Sequence, residues 1–152
     1  MKKTLLLIGC AVFLFGCNSI TNLDNDPKFK PFLGKVLKTK KDLVVMDFRD
    51  KKTLALHIPG TQGVPELKDV PQALPYQYFD HVTHGIFPAG GTFQIVHVEN
   101  VKSVEFSIND FYAVILSEGK FKGQKLDVTM LTDQTIPQKT SFNAKFIEEI
   151  NP

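Results

Sequence analysis

The sequence predicts an all-β domain, a small antiparallel barrel or sandwich, on three observations. Apolar and polar residues alternate with period two over runs of four to seven residues, such runs recur at spacings of roughly ten residues, and Gly, Pro, Asn and Asp clusters separate them. With 152 residues, 43% hydrophobic and 22% charged, the chain fits one globular domain. It has no Trp but 13 Phe, so phenylalanine carries most of the aromatic packing.

The elements follow in order. Residues 18–31, NSITNLDNDPKFKP, are rich in Asn, Asp and Pro without a sustained apolar period, and read as a flexible tether, so that the domain runs over 32–152. Leu43 to Phe48 is a β-rich run closed by the charged turn Arg49-Asp50-Lys51-Lys52. Thr53 to Ile58 follows it as the second arm of a hairpin. Residues 59–83 hold Pro59, Pro65, Pro71 and Pro75 and read as one long irregular connection. Pro88-Ala89-Gly90-Gly91 leads into a strand from Thr92 to Val98. Val104, Phe106 and Ile108 alternate with Glu105, Ser107 and Asn109 as a half-buried strand. Phe111 to Leu116 is apolar on both faces, as in a central strand. Leu126, Val128 and Met130 alternate with polar residues after the Gly119 and Gly123 breaks. Phe142 to Ile150 reads as a short helix or an edge strand.

The first seventeen residues have a different logic. Lys2 and Lys3 precede an apolar run from Thr4 to Phe15, too short to span a bilayer but of the length of a secretory core segment. The sequence turns polar directly after Cys17. The ending Leu14-Phe15-Gly16-Cys17 resembles the lipobox of bacterial lipoproteins, with Phe15 where small or β-branched residues are commoner. Leu7-Ile8-Gly9-Cys10 matches the local pattern better still, but would leave too short a core segment and would place AVFLF inside the mature chain. The resemblance implies a signal peptide over 1–16, lipid on Cys17, and cleavage after Gly16. With Asn18 and not Asp after that Cys, it further implies residence at the outer membrane, lipid-anchored on the periplasmic face.

Separately, PFLGKVLKTKKDLVVM with PAGGTFQIVHV resembles bacterial SH3-like domains, which place a Pro/Gly turn before a Thr-aromatic strand. An OB-like barrel reads almost the same.

Composition removes several functions. Lys and Arg number 18 against 16 Asp and Glu, and without Lys2 and Lys3 the balance is even, so no broad basic surface drives nucleic-acid binding. Cys10 and Cys17 are the only cysteines, which leaves residues 18–152 without a disulfide, thiolate cluster or catalytic thiol. No Gly-x-Ser-x-Gly, Walker, Gly-x-Gly-x-x-Gly or His-Glu-x-x-His motif is present, and the five serines lack a nucleophile setting. The chain therefore reads as non-enzymatic, with no cofactor.

Three constellations remain. His81 and His84, with Asp80, have donor types suited to a metal, but in an extended segment positions three apart point to opposite sides. His57 and His97 read as core-edge or cross-strand residues, and Lys38, Lys40 and Lys41 as a solvated strand edge that discourages pairing. Tyr76, Tyr78, Phe79 and His81, at the end of the proline-rich segment, form the candidate binding face: tyrosine offers apolar area together with a hydroxyl. The expected function is a membrane-anchored binding or scaffold module whose partner is an envelope protein or a wall-derived ligand. The alternatives are an immunity or inhibitor lipoprotein against a toxin, and a metal-handling protein using His81 and His84.

Overall fold

The computed structural model describes residues 19–48, 53–71, 76–78, 81–136 and 139–150. Its strands in chain order are β1 (Ser19–Asn22), β2 (Val36–Thr39), β3 (Leu43–Phe48), β4 (Leu54–His57), β5 (Tyr76–Tyr78), β6 (His81–Phe87), β7 (Thr92–Lys102), β8 (Ser107–Ile115), β9 (Lys125–Asp127), β10 (Thr132–Ile136), β11 (Lys139–Phe142) and β12 (Ile147–Ile150). Single 3₁₀ turns occur at Lys30–Phe32, Leu67–Asp69 and Thr129–Leu131. The all-β class expected from the alternation is therefore what the chain adopts.

Hydrogen bonds link the strands in the order β12-β2-β7-β8-β9-β4-β3-β6-β5, while β10 and β11 form a hairpin of their own. Every pair is antiparallel except β4 with β9. The long strand β7 serves two neighbours along one edge: β2 pairs with its beginning, and β1 with its end, where Ser19 faces Lys102 and Asn22 faces Glu99. On its other edge β7 pairs with β8 over its whole length, with an extra residue, Val96, bulged between Ile95 and His97.

Side chains from strands far apart in that order meet in one cluster: Leu37 of β2, Leu43 and Val45 of β3, Phe87 of β6, Phe93 and Ile95 of β7, Phe111, Ala113 and Ile115 of β8, and Ile147 of β12. For β12 and β6 to share one core, the sheet must curl around it, as in a sandwich or barrel-like fold. Phenylalanine supplies the bulk, as its abundance implied. Phe29, Phe32 and Phe142 surround Phe111 with ring centroids 5.4–6.2 Å away, all edge-on. The turn before β7 closes this core. Gly90 takes a φ of +84°, and a side chain on Gly91 would meet the Phe87 ring at 2.5 Å. Buried Thr39 holds the turn from the neighbouring strand, its hydroxyl donating to the Pro88 carbonyl at 2.8 Å.

Four expectations need correction. Residues 19–31 are not a tether: β1 joins the sheet, and Phe29 is 4% exposed in the core, so ladder hydrogen bonds and one buried ring hold a stretch without apolar period. Val104 and Phe106 are not in a half-buried strand. They sit in the turn between β7 and β8, where Ser103 Oγ accepts the Glu105 and Phe106 N–H groups. Residues 59–83 are not one irregular loop. Val64, Leu67 and Val70 pack on Val44 and Met46, covering the second face of β3, and Tyr76–Tyr78 and His81 onward pair as strands. Finally, Lys38, Lys40 and Lys41 guard no open edge, because β12 covers it: Lys38 of β2 pairs with Glu148, Lys40 Nζ donates to the Ala144 carbonyl at 3.0 Å and Lys41 lies over the Phe146 ring. The C-terminal stretch, left between helix and edge strand, pairs as the edge strand β12, and Met130 lies in the 3₁₀ turn after β9, 48% exposed. The signal segment 1–16, Cys17 and the turn 49–52 lie outside the described residues.

Candidate binding groove

The inner face of the β7–β8 ribbon changes character along its length. Phe93, Ile95 and Val98 point into the core opposite Ile115, Ala113 and Phe111, and the next inward pair is Asn100 opposite Asn109. A face that is apolar for three pairs becomes amide at the fourth because it has run past the core. There it forms one wall of an open groove of about 570 Å³. The groove is lined by Thr21 of β1, Ser107 and Asn109 of β8, Gln134 of β10 and Thr140 of β11. Leu23 and Phe29 are apolar members of the lining, and Asp26 and Lys28 bring one charge of each sign.

The amides are ordered by each other. Asn100 Nδ2 has three acceptors within reach of its two N–H groups: Asn109 Oδ1 at 2.9 Å, Ser107 Oγ at 3.0 Å and the Ile108 carbonyl at 3.1 Å. Gln134 bridges to the β10–β11 hairpin: its Nε2 donates to the Asn109 carbonyl at 2.7 Å and its Oε1 accepts the Asn109 N–H at 3.2 Å. A side chain thus replaces a strand partner at the edge of β8 and seats the hairpin as the opposite wall. Preordered amides and hydroxyls lose little entropy when a ligand arrives. They offer donors and acceptors without net charge.

A second polar cluster holds the remaining wall. His97 Nδ1 lies 2.8 Å from Asp24 Oδ2 and 3.0 Å from Oδ1, and Nε2 lies 3.2 Å from Glu99 Oε2. Asp24 Oδ1 also accepts the Val98 N–H at 2.9 Å. Burial by itself would raise the Asp24 carboxyl, but the Val98 N–H and the His97 ring outweigh it and hold the group below its ordinary value. Tyr112 stacks on His97 at 5.7 Å and donates to Glu99 Oε1 at 2.8 Å. Burial, then that carboxylate, push the phenol above its ordinary value. Lys125 Nζ sits 4.5 Å over the Tyr112 ring.

Each ring nitrogen of His97 thus has a carboxylate within hydrogen-bond distance. The depression beside it, about 330 Å³, is lined by Thr53, His97, Glu99, Tyr112 and Lys125, without a serine. The cluster pins the stretch after β1 onto β7.

The residues singled out from the sequence fall elsewhere. Tyr76 faces Thr83 and Tyr78 faces His81 across the β5–β6 pair at the sheet's end. Phe79, Asp80 and Cys17 lie outside the described residues. His81 and His84 are not brought together. An extra residue, His84 itself, is bulged out of β6 opposite Val45 and Met46. His84 Nε2 turns to Asp47 Oδ2 at 3.1 Å, whereas the His81 ring meets His57 edge-on at 5.5 Å on the opposite face. Among the described residues no group of three His, Cys, Asp or Glu side chains is placed to hold a metal ion. His57 is 7% exposed and without a hydrogen bond at Nε2. Burial, then the charge of His81, depress it to about 4.

The chain matches no protein-family model, no curated protein and no solved structure.

Proposed function

We propose that the chain is a lipid-anchored, non-catalytic binding module of the cell envelope, attached through Cys17 at the outer membrane, and that it seats a wall-derived glycan peptide in the amide-lined groove. One observation carries this reading: the inner face of the β7–β8 ribbon passes from core to ordered amides at Asn100 and Asn109, opposite Gln134. Neutral donors and acceptors beside a small apolar area suit the hydroxyls, acetamido groups and methyls of a wall saccharide. Asp26 and Lys28 offer complements to the amine and carboxylates of its peptide.

The reading is tested with a soluble N-acetylglucosaminyl-N-acetylmuramyl peptide, added to the full chain in detergent and followed by calorimetry and saturation-transfer signals. Thr140→Arg fills the groove from its rim and Gln134→Ala removes the bridge between its walls. Each is expected to weaken binding at least about tenfold, or 1.4 kcal/mol. A folded chain that does not bind the saccharide, or one that binds it equally well with Thr140→Arg, overturns the assignment.

A further inference from the structure

The outer surface at the same end of the ribbon carries an apolar patch with nothing packed on it among the described residues. Ile20, Val101 and Ile108 are cross-strand neighbours on β1, β7 and β8. Beyond them the turn presents Val104 and Phe106. Val104 is 84% exposed, Ile20 66%, Phe106 56% and Ile108 39%. A β-turn needs polar residues with turn-forming side chains, and Ser103 already serves that purpose here by accepting two N–H groups. Val104 and Phe106 add nothing to the turn and are costly in water, and a patch of this kind marks a contact surface.

The chain's direction says what the surface meets. β1 runs antiparallel to β7 with Ser19 opposite Lys102, so the polypeptide before Ser19 leaves the sheet at the tip of the ribbon, beside the turn. Cys17 is two residues further on, within about 7 Å even if fully extended, and the apolar run Thr4 to Phe15 precedes it. Any attachment to a bilayer through those residues brings the tip to the lipid surface.

We infer that Val104, Phe106, Ile20 and Ile108 form a second membrane contact, a wedge that enters the interfacial layer of the bilayer beside the anchor and fixes the domain's orientation on it. The contact rests on the anchoring part of the function proposed above.

The full chain has no Trp, so Phe106→Trp places a lone fluorophore at the tip. Val104→Trp is a second tip variant, and Leu116→Trp marks an exposed position about 30 Å away, past the other end of β8. Each is reconstituted into vesicles of equal parts phosphatidylethanolamine and phosphatidylglycerol whose acyl chains are partly brominated. Both tip variants are expected to float with the vesicles, shift their emission to shorter wavelength and lose most of their intensity to bromine, while Leu116→Trp keeps its own. A chain that floats with tip tryptophans as wet as Leu116→Trp overturns the wedge and leaves the anchor standing. A chain that does not float overturns the anchor and the wedge with it. Tip tryptophans already shielded in detergent, in a species that sediments as a dimer, overturn the wedge in favour of a second copy of the chain.

Discussion

Acid should weaken this fold well before its carboxylates protonate, and His57 is the reason. The ring sits on the second face of β3, opposite Val44, under the segment that carries Val64 and Leu67. It is 7% exposed, and its depression to about 4 comes from burial first and from His81 second. Above pH 6.5 position 57 is neutral in both the folded and unfolded chain, and nothing is lost. As pH falls from 6.5 toward 4, the unfolded chain takes up a proton that the folded chain refuses. Stability then drops by about 1.4 kcal/mol per unit and levels off below pH 4, a total of about 3 kcal/mol. That is a large share of the 5–15 kcal/mol of a typical domain. Urea unfolding at pH 7.5 and pH 4.5 measures the difference, and His57→Gln is expected to be less stable at pH 7.5 but to lose most of this pH dependence. His81→Gln should reduce the slope less, since it removes only the smaller cause. An unchanged difference between the two pH values in His57→Gln refutes the reasoning.

Further outcomes follow from the core and its pins. Phe111→Ala removes a fully buried ring that touches Phe29, Phe32 and Phe142, and should cost about 3–5 kcal/mol in the same urea assay. Gly91→Ala drives a methyl against the Phe87 ring and should cost about 1–3 kcal/mol, visible as a lower thermal midpoint; no change would mean that the turn yields freely. Asp24→Asn weakens the bond to His97 and should cost about 1 kcal/mol, discounted for partial exposure, with faster amide exchange at Leu23 and Val98. Because the Asp24 carboxyl is held below its ordinary value of 3.8, this contribution is fully present above that value and is lost only as pH falls through the lowered one.

Strands with one wet face were legible in the sequence because period two survives translation into burial. Thr92 onward is a case, while Leu43–Phe48 and Phe111 onward were legible as β-rich apolar runs between turn residues. What alternation could not reveal is where a strand outruns the core. Val104 and Phe106 keep the beat of a half-buried strand, yet they lie past the last core pair, where the beat has nothing to bury against. The groove was hidden by the same effect: Asn100 and Asn109 look like ordinary polar positions until the register makes them inward partners. The bulge at Val96 compounds this, shifting the inward set from Phe93 and Ile95 to Val98 and Asn100. From the sequence His97 reads as a core-edge or cross-strand residue. Its two carboxylates come from positions 24 and 99, and only the pairing of β1 with β7 brings the first within reach.

The stretch from Ser19 to Phe29 decides whether the N-terminal end of the sheet and the groove are mechanically joined. All four side chains of β1 are exposed, so little hydrophobic burial keeps that strand in place, and a short edge strand is marginal by itself. It stays because two pins follow it within seven residues: Asp24, held by His97 and the Val98 N–H, and Phe29, buried against Phe111. A flexible coil over residues 18–31 would let the domain wander by about 20 Å from Cys17. With β1 in register the sheet begins at Ser19, two residues after that cysteine in the sequence. The wall formed by Thr21, Leu23, Asp26 and Lys28 belongs to that pinned stretch, so force applied at the N-terminus reaches the groove through two side chains and not through a slack chain.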